Sequence, residues 1–260
     1  MLQVLILVGV SLLISSIGFY KFIYFLSVGY GLAVAGLGLA MMVMFKMTLG
    51  EAILCLLLVI YGIRLGGFLL YREFKTGSYK KTFDEANASG DRMPVFVKVI
   101  MWLMVAILYV MQVSPICFRL VSQKQNGFTL VAGIIIMVAG ALIEGLADHQ
   151  KSQAKVVAPH RFVDSGLYKI VRCPNYFGEI VFWTGVFISG FGVLTLGELL
   201  IGLFGYLSIV YIMLGGARRL EIKQDGRYGE DPAYRQYVSQ TPVIFPGIPL
   251  YHLRPYTFLK

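Results

Sequence analysis

The 260-residue chain is 57% hydrophobic and 14% charged, with a mean hydropathy of +0.73. A soluble domain carries about 25% charged residues, so the composition excludes an ordinary water-soluble fold. The net charge of +9 would suit nucleic-acid binding in a soluble protein, but these basic residues flank long apolar runs, which is typical of orientation in an anionic bilayer. The composition therefore predicts an all-α, polytopic transmembrane helix bundle without a nucleic-acid partner.

Seven apolar segments are long enough to cross a bilayer core, which takes about 20 residues of helix. In chain order they cover residues 2–20, 22–45, 49–71, 94–118, 127–147, 179–196 and 198–217. This divides the chain into a transmembrane bundle over 1–217 and a short C-terminal tail over 218–260. Small residues at helical spacing, such as Gly31, Gly36, Gly38, Gly62 and Gly66, predict close packing between neighbouring helices.

The basic residues are divided unequally between the two sides that these spans would define. Eighteen Lys and Arg residues lie on one side, in the 72–93 loop, the 148–178 loop and the tail together with Lys21, whereas three fall on the opposite side. Positively charged loops stay in the cytoplasm. With seven spans, this predicts an inner or plasma membrane protein with a cytoplasmic C-terminus, cytoplasmic long loops and the N-terminus on the other side.

The cysteines and histidines do not suggest a metal site. The three cysteines, Cys55, Cys117 and Cys173, lack CxxC spacing, and the three histidines lack the spacing of metal ligands. An odd number of cysteines cannot all pair. We therefore predict neither a disulfide framework nor a bound metal.

Four ionisable residues fall within or at the edge of the predicted spans, where such residues are costly and usually functional. They are Glu51, Arg64, Glu144 and Glu179. Arg64, about two turns from a helix end, is expected to be paired inside the bundle or to face a water-filled cavity. Glu51 is either functional or a helix-end residue that reaches the interface.

Glu144 and Asp148 are four residues apart and share one helix face at the mouth of the bundle. Two carboxylates there could accept hydrogen bonds from ribose or amide groups of a ligand. They could equally form ion pairs with Lys151 and Lys155. The sequence leaves both interpretations open.

The densest polar block, PHRFVDSGLYKIVRCPNYFGE, covers 159–179 and runs into the sixth predicted span. A helix is expected to start near Pro174, because proline is favoured in a first helical turn and the residue before it avoids the α conformation. A helix start near Arg161, Lys169 and Arg172 predicts an anion site. Contact with anionic lipid would explain the basic residues but not the Asn-Tyr-Phe-Gly-Glu run at 175–179.

The segment SGLYKIVRCPNYFGEIVFW at 165–183 resembles the steroid 5α-reductase family, especially its bacterial branch of membrane proteins known as a domain of unknown function. The segments IEGLADHQKSQAK at 143–155 and RYGEDPAYRQYVSQTPVIFP at 227–246 fit the same family. In the N-terminal half the resemblance is limited to topology and to LVIYGIR at 58–64.

The resemblance implies a reductase that uses NADPH as its cofactor and reduces the activated double bond of a lipophilic substrate, typically the enone of a 3-oxo-Δ4 steroid. The positions implied or expected to hold the cofactor are Asp148, Lys151, Lys155, Arg161, Arg172, Asn175, Tyr176, Glu179 and Tyr237. The 218–260 tail would close that site. A steroid-like or isoprenoid-like substrate is expected to enter from the bilayer.

The Tyr-x-x-Arg pattern of Tyr61 and Arg64 places Tyr61 on the tyrosine that hydrogen-bonds the substrate carbonyl in the family. Glu51 is the nearby acid, and it completes the candidate catalytic set. Two segments depart from the family pattern. The Gln-Glu pair of the steroid-active enzymes has no match before Tyr61, and residues 25–31 read FLSVGYG where the bacterial branch often has Asp-Ile-x-Trp-Gly.

Two other functions remain open. The isoprenylcysteine carboxyl methyltransferases, which use S-adenosylmethionine, look similar in architecture, but Cys173 stands where they have a histidine, and Arg218-Arg219 stands where they usually have adjacent glutamates. The third alternative is a non-enzymatic lipid-binding protein, in which the 159–179 block would serve only as an interfacial segment.

Overall fold

The computed structural model describes residues 2–75, 87, 88, 90 and 92–259. Lys80 and Lys81, which contribute to the predicted charge asymmetry, lie outside this range. Within it, all regular secondary structure is helical, as the composition predicts. The helices are α1 (Leu2–Ser15), α2 (Val28–Met44), α3 (Leu49–Lys75), α4 (Val95–Ser122), α5 (Gly127–Val157), α6 (Pro174–Ser189), α7 (Leu196–Tyr228) and α8 (Pro232–Gln240).

Within the described ranges, six helical segments are long and apolar enough to cross a membrane, so the chain is an integral membrane protein. They are Leu2–Phe19, Phe22–Met44, Leu49–Phe74, Val95–Ser122, Gly127–Val157 and Leu196–Tyr228. The sixth predicted span, 179–196, is instead the 16-residue helix α6. This helix begins at Pro174 as expected, and a turn with Gly192 at φ 76° follows its end.

Two helices continue well beyond the limits that hydropathy predicts. Helix α5 extends to Val157, so Asp148, Lys151 and Lys155 lie on a helix and not in a loop. Its added residues include two Gln and two Lys, which are good helix formers although they are polar. Helix α7 likewise continues to Tyr228, which places the first part of the predicted tail on a helix.

The chain divides into two compact units, and the division does not follow the predicted boundary at 217. Unit 1 comprises Met1–Ile134 and Val186–Gly205, and unit 2 comprises Ile135–Gly185 and Tyr206–Lys260. The reason is that α5, α6 and α7 each contribute residues to both units, so a boundary drawn at the end of an apolar run separates residues that pack together.

In unit 1, α2 and α3 pack through small residues, as predicted. A methyl group added to Gly62 would lie 2.3 Å from the carbonyl oxygen of Gly31 and 2.6 Å from the amide nitrogen of Ala35. A methyl group on Gly31 would lie 2.7 Å from the amide nitrogen of Gly66. Gly36 packs against the side chain of Ile14 instead. Helix backbones in direct contact gain dispersion energy that bulkier side chains would prevent.

In unit 2, the C-terminal segment pairs with the chain just before α6. The amide nitrogen of Arg172 donates to the carbonyl oxygen of Pro242 at 2.9 Å, and that of Cys173 donates to Val243 at 2.8 Å. Cys173, Val243 and Ile244 are buried in one apolar cluster, whose other buried members are Ile180, Ala217, Leu253 and Leu259. The segment after α8 is therefore part of the core of unit 2.

We expect Gly62→Leu to destabilise the protein, because its side chain would overlap backbone atoms of α2. Overpacking of this kind costs about 1–3 kcal/mol or more. Gly67→Leu on the same helix is the matched control, since no atom lies within 4 Å of a methyl group placed there. Thermal unfolding in detergent should show a lower Tm for the first variant alone. Equal Tm values for the two variants would contradict the packing described.

Candidate functional site

Helices α5 and α6 touch at two glycines in unit 2. A methyl group on Gly140 would lie 2.3 Å from the amide nitrogen of Phe182, and one on Gly178 would lie 2.6 Å from that of Glu144. The earlier residue of α5, Gly140, contacts the later residue of α6, Phe182, and the later residue Glu144 contacts the earlier residue Gly178. The two helices are therefore antiparallel. One turn further along α5, Asp148 lies level with the start of α6 at Pro174.

This contact gathers three carboxylates and one amide around the start of α6. Glu144, Asp148 and Glu179 are buried, and Asn175 lies one turn before Glu179 on the same helix face. We call Glu144, Asp148, Asn175 and Glu179 the polar face of unit 2. The side-chain oxygen of Asn175 is buried and has no hydrogen-bond partner among the described residues. Such an acceptor matches a ligand that brings an N–H or O–H group.

The turn before α6 is held to α5 by hydrogen bonds. Gly166 has φ 62°, which favours glycine, and the next amide nitrogen, of Leu167, donates to the side-chain oxygen of Gln150 at 2.9 Å. The Tyr168 hydroxyl donates to the carbonyl oxygen of Ala147 at 3.3 Å, and burial raises the pKa of this phenol. The Tyr168 ring therefore serves as a neutral anchor for the segment that leads into the polar face.

Cys173 immediately precedes α6 and is fully surrounded by protein. Burial raises the pKa of its thiol to about 11, although the positive charges of Lys151 and Arg172 act in the opposite direction. At neutral pH the group is a thiol and not a thiolate, so it is a poor nucleophile. The positive charge of Lys151 nevertheless lowers the pKa of the Cys173 thiol, so Lys151 lies near the start of α6.

Arg172 lies inside unit 2 and binds the C-terminal segment. Its Nη2 lies 3.3 Å from Oε1 of Glu221 and also donates to the carbonyl oxygen of Tyr251. The other oxygen of Glu221 accepts the amide of Leu253 at 2.7 Å and that of Arg254 at 3.1 Å. The buried guanidinium of Arg172 thus pairs with a carboxylate that has no local signal in the sequence, and its contact with a phosphate stays a prediction.

Lys155 and Arg161 have different surroundings. The ammonium group of Lys155 lies 3.4 Å from the carbonyl oxygen of Pro159 and 3.2 Å from the hydroxyl of Tyr228, and it also contacts the Arg161 carbonyl. It thus holds the turn after α5. The Arg161 side chain is 59% exposed and pairs with Asp164 at 2.7 Å. Exposed pairs of this type are weak, so Arg161 can exchange Asp164 for a phosphate.

The two tyrosines of the candidate set take part in packing. The ring of Tyr176 packs against Gly216 on α7, and a methyl group added to Gly216 would be in contact with that ring. The Tyr237 hydroxyl donates to the carbonyl oxygen of Tyr168 at 2.7 Å, and its ring stacks on Phe162 at 5.4 Å. Burial raises the pKa of Tyr237. Tyr237 thereby ties the tail to the turn before α6.

The candidate catalytic residues lie in unit 1, and the structure separates Glu51 from the other two. Tyr61 is 1% exposed, and the guanidinium carbon of Arg64 lies 5.7 Å from the centre of its ring. Glu51 lies ten residues earlier on α3, about 15 Å along the helix axis. Glu51 and Tyr61 are therefore far apart along α3, and the catalytic role of Glu51 stays a prediction.

Glu51 instead caps the start of α3. Its Oε2 accepts the amide and the hydroxyl of Thr48 at 2.8 and 2.9 Å, which is the capping-box arrangement. Its other oxygen lies 3.9 Å from Nε of Arg119. The Thr-x-x-Glu spacing was visible in the sequence and could have indicated this role.

Arg119 is the residue of unit 1 that sequence reasoning missed. The predicted span 94–118 ends just before Arg119, yet this residue is 0% exposed. Its Nη1 donates to the carbonyl oxygen of Ser189 at 2.7 Å, and its Nη2 to that of Asn126 at 2.8 Å. One guanidinium therefore joins the beginning of α3, the α4–α5 connection and the end of α6.

We expect Glu221→Ala to destabilise unit 2, because it leaves the Arg172 guanidinium buried without its carboxylate. Breaking a buried pair from one side costs about 3–5 kcal/mol. Glu230→Ala is the matched control, since Glu230 also pairs with an arginine, Arg235, but is fully exposed. Limited proteolysis of the purified protein should release the C-terminal segment from the Glu221 variant only. Equal resistance of both variants would contradict the anchoring role.

The comparisons with known proteins place the chain in one family. The family described as "Protein of unknown function (DUF1295)" matches residues 12–241, which is most of the chain and includes the whole polar face of unit 2. No curated protein and no solved structure matches the chain. The chain belongs to the DUF1295 family of proteins of unknown function.

Proposed function

We propose that this protein is a membrane-embedded, NADPH-dependent reductase that acts on the activated double bond of a lipophilic, steroid-like or isoprenoid-like substrate. The observation that carries the proposal is the buried Asn175 oxygen, which has no partner among the described residues and lies within the polar face of unit 2. The segments 143–155 and 165–183, which resemble the steroid 5α-reductases, both fall inside the family match and contribute this face.

The chemistry of these residues fits NADPH. The nicotinamide carboxamide brings N–H donors, which the Asn175 oxygen requires, and the ribose hydroxyls are donors for carboxylates such as Asp148 and Glu179. Arg161, with an exposed guanidinium, could bind a phosphate, with the Lys151 charge nearby. Lys155 and Tyr237 support the neighbouring turn and would act on the cofactor indirectly.

NADPH held at the polar face of unit 2 would supply a hydride, and reduction of an enone would take up that hydride at the β-carbon and a proton from water at the α-carbon, leaving NADP⁺. Tyr61 would donate a hydrogen bond to the carbonyl oxygen as its negative charge grows. Burial of Tyr61 strengthens that bond, because the local dielectric is low. The positive charge of Arg64 beside the ring makes the hydroxyl a better donor.

The membrane orientation is part of the proposal. The excess of Lys and Arg in the polar connections and the tail supports a cytoplasmic location for them. The start of α6 would then face the compartment that contains the cofactor. A lipophilic substrate would enter unit 1 from the bilayer.

One observation favours a second candidate, an S-adenosylmethionine-dependent methyltransferase. The polar face contains three buried carboxylates, Glu144, Asp148 and Glu179, whereas Arg172 is paired with Glu221 and Lys155 with backbone carbonyls. Carboxylates suit the sulfonium and amino groups of the methyl donor as well as ribose hydroxyls. The two candidates therefore differ in which cofactor the protein binds, and a lipid-binding protein would bind neither.

We expect the purified protein to bind NADPH, and Asn175→Ala to weaken this binding about tenfold, because a hydrogen bond inside a buried site is lost. Glu179→Gln should weaken it similarly. Glu198→Gln, at the capping box of α7, is the matched control and should bind normally. Calorimetric titration with NADPH and with S-adenosylmethionine checks the expectation. Binding of the methyl donor alone supports the methyltransferase, and binding of neither supports a lipid-binding protein.

We expect Tyr61→Phe to slow turnover about 100-fold, because it removes a donor that acts on the charged transition state, while the NADPH affinity stays unchanged. Tyr71→Phe, an exposed position on the same helix, is the control. Oxidation of NADPH in the presence of a 3-oxo-Δ4 steroid or an isoprenoid enal, followed by absorbance, measures the rate. Full activity of the Tyr61 variant would exclude this tyrosine as the carbonyl donor.

A further inference from the structure

Gln112 is a polar side chain in the interior of unit 1 that the proposed reaction does not use. It lies in the middle of α4, is 2% exposed, and neither its amide nitrogen nor its amide oxygen has a hydrogen-bond partner among the described residues. A buried amide without partners costs free energy in water-soluble proteins, and in a membrane-spanning helix no lipid chain can replace the missing bonds. Side chains of this kind usually mark a functional position.

The backbone beside Gln112 does not need this amide. Pro115 lacks an N–H group and leaves the carbonyl oxygen of Met111 without its usual helical donor. The Ser114 hydroxyl supplies the missing bond to that oxygen at 2.8 Å. A methyl group on Gly205 would lie 2.6 Å from the same oxygen, so α7 closes this side of the helix. The amide of Gln112 is therefore not present to repair the proline site.

The packing of unit 1 places Gln112 at the level of Tyr61. The rings of Tyr30 on α2 and Tyr109 on α4 are 5.2 Å apart, and Gln112 lies one turn beyond Tyr109. Successive spans alternate in direction, so α2 and α4 run the same way. One turn beyond Tyr30 on α2, Ala35 contacts Gly62, the residue next to Tyr61. Gln112 and Tyr61 thus lie within about one helical turn of the same depth.

We propose that Gln112 binds the polar group of a lipophilic ligand inside unit 1. The amide nitrogen would donate to a carbonyl or hydroxyl oxygen, and the amide oxygen would accept from a hydroxyl. The ligand class is a molecule that is apolar except for such an oxygen, since Gln112 is buried within a membrane-spanning helix and its amide offers two complementary hydrogen bonds. This binding requires neither NADPH nor hydride transfer, so it goes beyond the proposed reaction.

Thermal unfolding of the full-length protein in detergent, without any cofactor, tests the proposal. The probes are progesterone and geranylgeraniol, each compared with the hydrocarbon of the same skeleton that lacks the oxygen. We expect at least one oxygenated probe to raise the Tm of the wild-type protein more than its hydrocarbon does. Gln112→Met should raise the Tm without a probe by about 2–4 °C, because an unpartnered amide is removed, and should abolish the extra shift from the oxygenated probe.

Gln150→Met is the matched control, because the side-chain oxygen of Gln150 accepts the amide of Leu167 at 2.9 Å. This variant should have a lower Tm than the wild type and keep the probe-dependent shift. A fall in Tm for Gln112→Met as large as that for Gln150→Met would show a structural role and overturn the proposal. Retention of the probe shift by Gln112→Met, or no preference of the wild type for either oxygenated probe, would overturn it as well.

Discussion

The contact between α5 and α6 leaves no room for a side chain at Gly140 or Gly178, and the arrangement of unit 2 depends on it. Because the backbones touch, Glu144 and Asp148 on one helix come beside Asn175 and Glu179 on the other. The glycine in the Asn-x-x-Gly-Glu run is therefore explained by packing alone. Its neighbours in the sequence are the residues whose chemistry can be used for a ligand.

Two buried arginines restrict what the other charges can do. Arg119 joins three parts of unit 1 near Glu51, and Arg172 holds the C-terminal segment through Glu221. A guanidinium inside a membrane protein needs partners, and in both cases carboxylate and carbonyl oxygens supply them. Once these pairs are assigned, Arg161 and Lys151 are the basic candidates near the start of α6. The proposed cofactor site is consequently more acidic than the net charge of the chain suggests.

The sequence was sufficient for the features that depend on local pattern. Apolar length predicted a helical membrane protein, glycine spacing predicted the α2–α3 contact, and proline chemistry predicted the start of α6 at Pro174. Hydropathy ended α5 ten residues too early, because polar helix formers such as those at 148–157 look like a loop. The pairing of Arg172 with Glu221, 49 residues away, leaves no local signal. Arg119 was misjudged because its burial depends on tertiary packing.

The proposed function depends on the binding of NADPH at the start of α6. Hydrogen–deuterium exchange of the purified protein, with and without NADPH, tests it directly, because the connection 158–173 lies between the two helices that form the polar face. We expect slower exchange over 158–179 when NADPH is added, and unchanged exchange over the Met44–Leu49 turn of unit 1. Protection of 158–179 by S-adenosylmethionine and not by NADPH would contradict it, as would an unchanged pattern in that segment.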